Sequence, residues 1–193
     1  MKDRSSIVAT LYEDAFRRTG SKRPFTALNA LRVDPTLKFV TSFRIVKKYG
    51  KGSLLGFVAY LAYKYYRKNY GLQIPLEVRL GRALLMSNFC GIVINSKARI
   101  GDNCTILHGV TIGNVTTGKR AGAPIIESRV YLGPNAVVVG GIVVGRGSVI
   151  APGAFVNFDV PAGSLVIGNP GRIVRTSQEE SFPSIKNAIS YLE

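Results

Sequence analysis

From Leu80 to Val156 an aliphatic residue returns at six-residue intervals, usually with a glycine or a small polar residue directly after it. A period of six fits neither the 3.6-residue turn of an α-helix nor the two-residue alternation of a strand. It is typical of the hexapeptide β-helix repeat, in which each hexad supplies one short strand and one corner of a coil. Ten hexads keep this phase: Ile94-Asn95, Ile100-Gly101, Ile106-Leu107, Ile112-Gly113, Ile126-Glu127, Leu132-Gly133, Val138-Val139, Val144-Gly145, Ile150-Ala151 and Val156-Asn157. The pattern predicts a mainly β chain folded as a parallel β-helix.

The residue two positions before the aliphatic is often small, as an inward position on a narrow prism requires. Such residues are Ala98, Cys104, Ala136, Ser148 and Ala154. Cys104 is therefore expected to be a core side chain. With Cys90 it shows no CxxC spacing, so the sequence signals neither a disulfide framework nor a metal site.

Two intervals are longer than six residues. Met86 to Ile94 spans eight, which adds two residues to one corner. Ile112 to Ile126 spans fourteen, which fits one hexad plus a second hexad enlarged to eight by an excursion through residues 115–124 (VTTGKRAGAP).

Counting three hexads to a coil predicts which side chains share one face of the prism. This count places Met86, Ile106, Leu132 and Ile150 on the same face. The residues two positions further on then stack in a column, about 4.8 Å apart along the prism. They are Asn88, His108, Pro134 and Pro152.

The first part of the chain is expected to be helical. An amphipathic helix is predicted over residues 3–18, and the segment ending at Pro24 breaks it. A second helix follows Asp34, with Pro35 at its first position. A third runs from Leu54 to Tyr66. The predicted organisation is a helical region over residues 1–71, a β-helix over 72–175 and a tail over 176–193.

The net charge of +15 is unevenly distributed: residues 1–90 carry +12 and the remainder +3. A basic region of this kind attracts nucleic acid, anionic lipid or a polyanionic substrate. No nucleic-acid-binding motif accompanies it, so nucleic acid is not expected as a partner. The apolar run of the third helix is too short to span a bilayer. It either packs on neighbouring helices or another subunit, or lies at a membrane surface. No cleavable signal peptide is visible, which favours the cytoplasm, including the inner face of the membrane.

His108 is the single histidine of the chain and stands on the predicted column, one coil before the excursion. Histidine is the natural general base near neutral pH, although a lone histidine also serves structural roles. Nucleophile motifs and metal-binding motifs are absent from the sequence.

Two turn-rich segments carry cations that suit a phosphate-bearing ligand. Gly118-Lys119-Arg120 lies in the excursion, and Arg172 follows the last coil. Such cations form charge-assisted hydrogen bonds with phosphate. The alternatives are a solvated loop and a simple turn that ends the prism.

The chain resembles the serine O-acetyltransferase family in the order and spacing of several motifs. They are ARIGDNCTILHGVTIG, the GK-containing loop, RVYLGPNAVVVGGIVVGRGSVIAPGAFV and VPAGSLVIGNPGRIV, and the likeness runs from about Val33 to Val174. The segment GIVIN at 91–95 looks closest to the capsule and exopolysaccharide O-acetyltransferases. The resemblance implies a left-handed β-helix, a homotrimer and acetyl-CoA bound between neighbouring prisms.

The resemblance also implies site residues, not all of which match the family. The aspartate that contacts the amino-acid substrate corresponds to Asp34. The family's catalytic histidine falls on Asn88, its partner aspartate on Gln73, and a loop histidine on Ala123. An amide cannot accept the hydroxyl proton, so either His108 acts as the base or the chain is inactive.

These observations predict an O-acetyltransferase that moves acetyl from acetyl-CoA to a hydroxyl. The expected acceptor is a sugar of a surface polysaccharide or of its lipid-linked precursor. The alternatives are L-serine as acceptor and a trimeric scaffold without activity. His108 is the expected base and Asn88 positions the acceptor, with Asp34 and Gln73 also in the substrate site. No metal is expected.

Acetyl-CoA is expected to lie along the predicted column. Its pantetheine would lie beside the compact corners of this column, and its phosphates beside Lys119, with Gly118, or beside Arg172. The corner residues are Pro134, Asn135, Pro152 and Gly153.

Overall fold

The computed structural model describes residues 6–87 and 90–176. Within these ranges, four helices precede fourteen short strands. The helices are α1 (Ile7–Thr19), α2 (Pro24–Val33), α3 (Pro35–Tyr49) and α4 (Leu54–Asn69). The strands are β1 (Arg79–Leu80), β2 (Leu85–Ser87), β3 (Val93–Ile94), β4 (Arg99–Ile100), β5 (Thr105–Leu107), β6 (Thr111–Gly113), β7 (Ile125–Ile126), β8 (Tyr131–Leu132), β9 (Val137–Val139), β10 (Val143–Val144), β11 (Val149–Ile150), β12 (Phe155–Val156), β13 (Ser164–Ile167) and β14 (Arg172–Thr176).

The strands form three sheets, and each coil gives one strand to each of them. Sheet 1 contains β1, β4, β7 and β10; sheet 2 contains β2, β5, β8, β11, β13 and β14; sheet 3 contains β3, β6, β9 and β12. All pairs are parallel except β13–β14. Met86 lies beside Ile106, Ile106 beside Leu132, and Leu132 beside Ile150, which confirms the predicted shared face. The hexad aliphatics are buried inside the prism.

The excursion after Ile112 differs from its prediction. Ile112 belongs to sheet 3 and Ile126 to sheet 1, so the fourteen residues make one step between adjacent sheets. No additional hexad lies between them. Instead Val115 and Gly122 pair as an antiparallel bridge, and the loop folds back on itself as a small hairpin. All eight extra residues therefore enlarge a single corner.

The predicted helices are present, and the structure adds a fourth. The helix predicted over 3–18 runs from Ile7 to Thr19, and residues 3–5 lie outside the described ranges. Helix α3 begins at Pro35, as predicted, and α4 continues to Asn69. The missed helix α2 begins at Pro24, because a fixed φ and a missing N–H favour proline in a first helical turn as well as in a break. Among the described residues, no helix is long and apolar enough to cross a bilayer.

Buried charged contacts join the helices to the first coils. Arg44 of α3 binds both carboxylate oxygens of Asp14 and donates to Gly81 O at 2.6 Å. Arg17 of α1 donates to Thr105 Oγ1 at 2.8 Å and to Ala83 O at 3.3 Å. Because these groups are polar and largely buried, their mutual hydrogen bonds fix how the helices sit on the prism.

Glycine directly after an aliphatic residue has a steric reason. A Cβ at Gly133 would lie 2.7 Å from Pro152 N in the next coil, and one at Gly145 would lie 2.4 Å from Ala162 N. Coils one strand spacing apart leave no room for a side chain at these positions. The glycine of the repeat therefore permits the coils to stack.

We expect Gly133→Ala to destabilise the protein by about 1–3 kcal/mol, because the added methyl group forces two coil backbones apart. Gly52→Ala is the matched control, since a Cβ there meets no atom within 4 Å. Denaturant unfolding of both variants measures the difference. Equal unfolding midpoints would contradict the steric explanation.

Candidate active site

The corner between sheets 2 and 3 is built from residues with left-handed backbone. Five of them stack from coil to coil, and we call them the corner column. They are Gly71 (φ 62°), Gly91 (66°), Gly109 (70°), Asn135 (57°) and Gly153 (68°). Glycine and asparagine are the residues that adopt this conformation most readily.

Backbone hydrogen bonds link this corner in one coil to the same corner in the coil before it. They identify the residue that stands directly before each member of the corner column. Asn135 N donates to His108 O at 2.9 Å, and Gly153 N donates to Pro134 O at 2.8 Å. His108, Pro134 and Pro152 therefore stack as predicted. One coil earlier the hydrogen-bond partner is Cys90, because Gly109 N donates to Cys90 O at 2.8 Å. The residue stacked on His108 in this ladder is thus Cys90 and not Asn88.

This difference follows from the two extra residues between Met86 and Ile94. Counting forward from Met86 reaches Asn88, but the enlarged corner returns to the common register only at Cys90. Asn88, predicted as a catalytic residue, lies outside the described residues.

His108 is half-buried at this corner, and its Nδ1 atom is buried. Among the residues that the structure describes, Nδ1 has no hydrogen-bond partner. A buried polar atom without a partner is uncommon in folded proteins. In a neutral imidazole one nitrogen is a donor and the other an acceptor, so Nδ1 lacks a hydrogen bond in either tautomer.

Asp34 caps helix α3 and is buried. Its Oδ1 accepts from Thr36 N at 2.8 Å and Leu37 N at 3.1 Å, while Oδ2 forms an ion pair with Arg18. Arg18 also donates to Ser87 Oγ at 3.1 Å, at the end of β2. The structure gives Asp34 these structural contacts, close to the segment that leads into Asn88. Its substrate-binding role stays a prediction.

Gln73 lies near the same corner, on the coil before β3. Its backbone pairs with this strand: Gln73 N donates to Ile92 O at 2.8 Å, and Ile94 N donates to Gln73 O at 2.9 Å. The residue is exposed, and two strand spacings, roughly 10 Å, separate it from the coil of His108. Gln73 therefore lies along the same edge of the prism as His108, two coils away from it.

The predicted cofactor residues divide between this corner and more distant positions. Pro134, Asn135, Pro152 and Gly153 lie at the corner of His108. Asn135 is exposed, and its Oδ1 occupies the space that a Cβ of Gly109 would need. Arg172 is exposed on β14, four strand spacings or roughly 19 Å from β5.

Gly118 and Lys119 lie at a different corner, between sheets 3 and 1. There Gly141 N donates to Arg120 O at 2.8 Å, and Arg120 forms an ion pair with Asp159 at 3.4 Å. Lys119 stays exposed on this anchored hairpin. Within one chain the lysine and His108 are therefore on separate edges of the prism.

Cys104 has a structural environment, and the described residues offer no metal site. Cys104 is fully buried, and burial raises the pKa of its thiol to about 12. Its Sγ lies 3.1 Å from Glu127 O. It is the core residue that the sequence predicts. Within residues 6–87 and 90–176, no group of three or more His, Cys, Asp or Glu side chains could hold a metal ion.

Comparison with known proteins gives consistent results. Residues 123–157 match the family model for the bacterial transferase hexapeptide (six repeats). Serine acetyltransferase 2 of Arabidopsis thaliana is 38% identical over 118 residues, which cover 60% of this chain and 36% of that protein. The serine acetyltransferase of Bacillus licheniformis is 41% identical over 106 residues, covering 54% of this chain and 48% of that protein. The chain thus spans less than half the length of these curated relatives.

Solved structures extend the similarity to the helices. Serine acetyltransferase from Neisseria gonorrhoeae superimposes with a TM-score of 0.74 over 93% of this chain and 69% of its own, at 28% identity. The enzyme from Brucella abortus gives 0.73 over 88% and 69%, at 27% identity. These neighbours confirm the predicted left-handed β-helix with N-terminal helices.

The expected likeness to capsule and exopolysaccharide enzymes is not supported, because these relatives are serine acetyltransferases. The short segment GIVIN carried too little information to distinguish the two groups. In sequence and in fold, the chain is similar to the serine acetyltransferases and contains the hexapeptide repeat of bacterial transferases.

Proposed function

We propose that the protein is an acetyl-CoA-dependent O-acetyltransferase and that its acceptor is L-serine. The observation that carries this proposal is the similarity to serine acetyltransferases, which reaches 41% identity in the repeats and a TM-score of 0.74 over nearly the whole chain. The half-buried His108, the single histidine of the chain, adds a candidate general base beside the corner column.

In the proposed reaction His108 accepts the proton of the serine hydroxyl as its oxygen attacks the thioester carbonyl of acetyl-CoA. The new C–O bond forms, the C–S bond breaks, and the imidazolium returns the proton to the CoA sulfur. Such a base accelerates transfer by roughly 10²–10⁴-fold. Backbone N–H groups at the corner would stabilise the negative charge on the carbonyl oxygen.

The acceptor is the part of this proposal that the sequence challenges most. Gln73, Asn88 and Ala123 replace ionisable groups that the family resemblance leads one to expect. Neutral side chains at these positions would alter how an amino acid is held.

Release of CoA from acetyl-CoA tests the function with L-serine and with a panel of sugar hydroxyl acceptors. We expect turnover with L-serine above the rate without acceptor. Turnover with a sugar and none with L-serine would show that L-serine is not the acceptor. Tight acetyl-CoA binding without transfer to any acceptor would overturn the enzymatic function and favour a scaffold.

A trimer is expected because the candidate residues occupy two edges of the prism. Lys119 lies at the corner between sheets 3 and 1, and His108 at the corner between sheets 2 and 3. In a closed ring, one edge of each chain faces a different edge of its neighbour. Light scattering should therefore give three times the chain mass, and a stable monomer at micromolar concentration would contradict the shared site.

The double variant Lys119→Ala/Arg172→Ala should weaken acetyl-CoA binding by roughly 3 kcal/mol, if both cations contact phosphate through charge-assisted hydrogen bonds. Lys97→Ala/Arg99→Ala removes the same charge from exposed positions elsewhere on the prism and is the matched control. Calorimetry compares the dissociation constants. Unchanged affinity of Lys119→Ala/Arg172→Ala for acetyl-CoA would mean that the phosphates of the ligand do not contact these two side chains.

A further inference from the structure

Helix α4 presents apolar side chains on two opposite sides. Gly56, Ala59 and Tyr63 are buried against the rest of the protein. The Tyr63 ring lies 5.5 Å from that of Phe39, and its hydroxyl donates to Ile74 O at 2.7 Å. This side anchors the helix to α3 and to the start of the prism.

The opposite side is the unusual one. Leu54, Val58, Leu61 and Tyr65 recur at helical spacing and are between 52% and 83% exposed, and Phe57 beside them is 50% exposed. We call these five residues the α4 outer face. Single exposed apolar residues are ordinary, but a continuous apolar stripe marks a surface that contacts another phase or molecule.

The charges around this face have one sign. Residues 35–76 contain eight lysines and arginines and no aspartate or glutamate. Lys64 and Lys68 lie one turn apart beside the α4 outer face, and both are exposed. Lys51 Nζ lies 4.3 Å from the Tyr60 ring centre, and Lys64 Nζ lies 5.8 Å from it. An apolar stripe bordered by cations is complementary to an anionic surface that has an apolar layer beneath it.

We propose that the α4 outer face docks on an anionic lipid bilayer, with the helix lying in the plane of the membrane. The aliphatic side chains enter the boundary between headgroups and acyl chains, while the lysines stay among lipid phosphates. A second copy of the chain fits this face less well, because it would bring two acid-free basic segments together. This proposal is independent of the acetyltransferase reaction.

The chain contains no tryptophan, so a single introduced indole reports on one position. Leu61→Trp in the full chain places it on the α4 outer face, and Val143→Trp on β10 is the control at an exposed aliphatic of the prism. With vesicles of equal phosphatidylglycerol and phosphatidylcholine, the emission of Leu61→Trp should shift to the blue and be quenched by brominated acyl chains. The emission of Val143→Trp should stay unchanged.

Three outcomes would overturn the proposal. The first is no binding to these vesicles, and the second is quenching of Val143→Trp in place of Leu61→Trp. The third combines two results: the emission of Leu61→Trp is already shifted to the blue without lipid, and Leu61→Glu has a lower particle mass than the wild-type protein. Together they would show that a second copy of the chain covers the α4 outer face.

A charge comparison separates docking through α4 from general attraction of a basic protein. Lys64→Gln/Lys68→Gln should lower vesicle partitioning about 30-fold, since each cation at the surface contributes about five-fold. Lys97→Gln/Arg99→Gln loses the same formal charge on the prism and should retain partitioning. An equal loss in both pairs would show that only the net charge matters, and would overturn docking through this helix.

Discussion

His108→Asn should reduce acetyl transfer by about 10²–10⁴-fold, because it removes the proposed proton acceptor beside the corner column and keeps a polar side chain there. The backbone contact from Asn135 N to His108 O does not depend on the side chain, so the corner should keep its structure. The rate of CoA release at saturating acetyl-CoA measures the effect. Unchanged circular dichroism and an unchanged dissociation constant for acetyl-CoA would show that the substitution affects only the chemical step.

Asn88→His provides the complementary measurement, because it restores the histidine that the serine acetyltransferase resemblance leads one to expect. If His108 is the base, the wild-type protein is active and Asn88→His has little effect on it. Full turnover in His108→Asn would show that the base is another group. Activity that appears only in Asn88→His would identify the chain as a degenerate enzyme.

The sequence predicted the coil because one residue type repeats at a fixed interval. Counting hexads placed Met86, Ile106, Leu132 and Ile150 on one face, and the strand register agrees. Counting was enough there because each buried aliphatic stacks directly on the one before it, about 4.8 Å away. The stacking of His108, Pro134 and Pro152 follows from the same regularity.

The hexad count did not predict the alignment of the coils at the two corners that contain extra residues. The excursion after Ile112 and the enlarged corner before Cys90 have lengths that fit more than one alignment, and backbone hydrogen bonds select between them. The sequence also left open whether the apolar residues of α4 are buried or exposed. Its apolar residues fit a buried helix in sequence, and only the fold shows that one side alone is covered.

The contacts between the helices and the prism could not be predicted either, because they join residues far apart in the chain. Asp14 and Arg44 belong to different helices, and Arg44 reaches the backbone of Leu80 and Gly81 at the first coil. No periodicity relates these positions. Their importance depends on burial: Asp14 is 1% exposed and Arg44 is 9% exposed.

Arg44→Met should lower the free energy of unfolding by about 3–5 kcal/mol, because it leaves the carboxylate of Asp14 buried without its partner. The substitution removes the hydrogen bonds from Arg44 Nε to Asp14 Oδ2 at 2.5 Å and from Arg44 Nη2 to Asp14 Oδ1 at 3.0 Å. Arg99→Met, at an exposed position of the prism, is the control and should change stability by less than about 0.5 kcal/mol. Urea unfolding at neutral pH compares the two.

The pH dependence of Arg44→Met identifies the cause of its instability. Burial raises the pKa of Asp14 in the folded protein, while Arg44 and the N–H of Leu84 oppose that rise. Without Arg44 the folded pKa must rise further above the unfolded one, so the carboxyl group binds a proton on folding. Stability associated with such a group is present at low pH and is lost as the pH rises through the folded pKa. The deficit of Arg44→Met relative to wild type should therefore be smaller at pH 5 than at pH 8. An equal deficit at both values would mean that the missing hydrogen bonds to the backbone of Leu80 and Gly81, and not the buried charge, cause the instability.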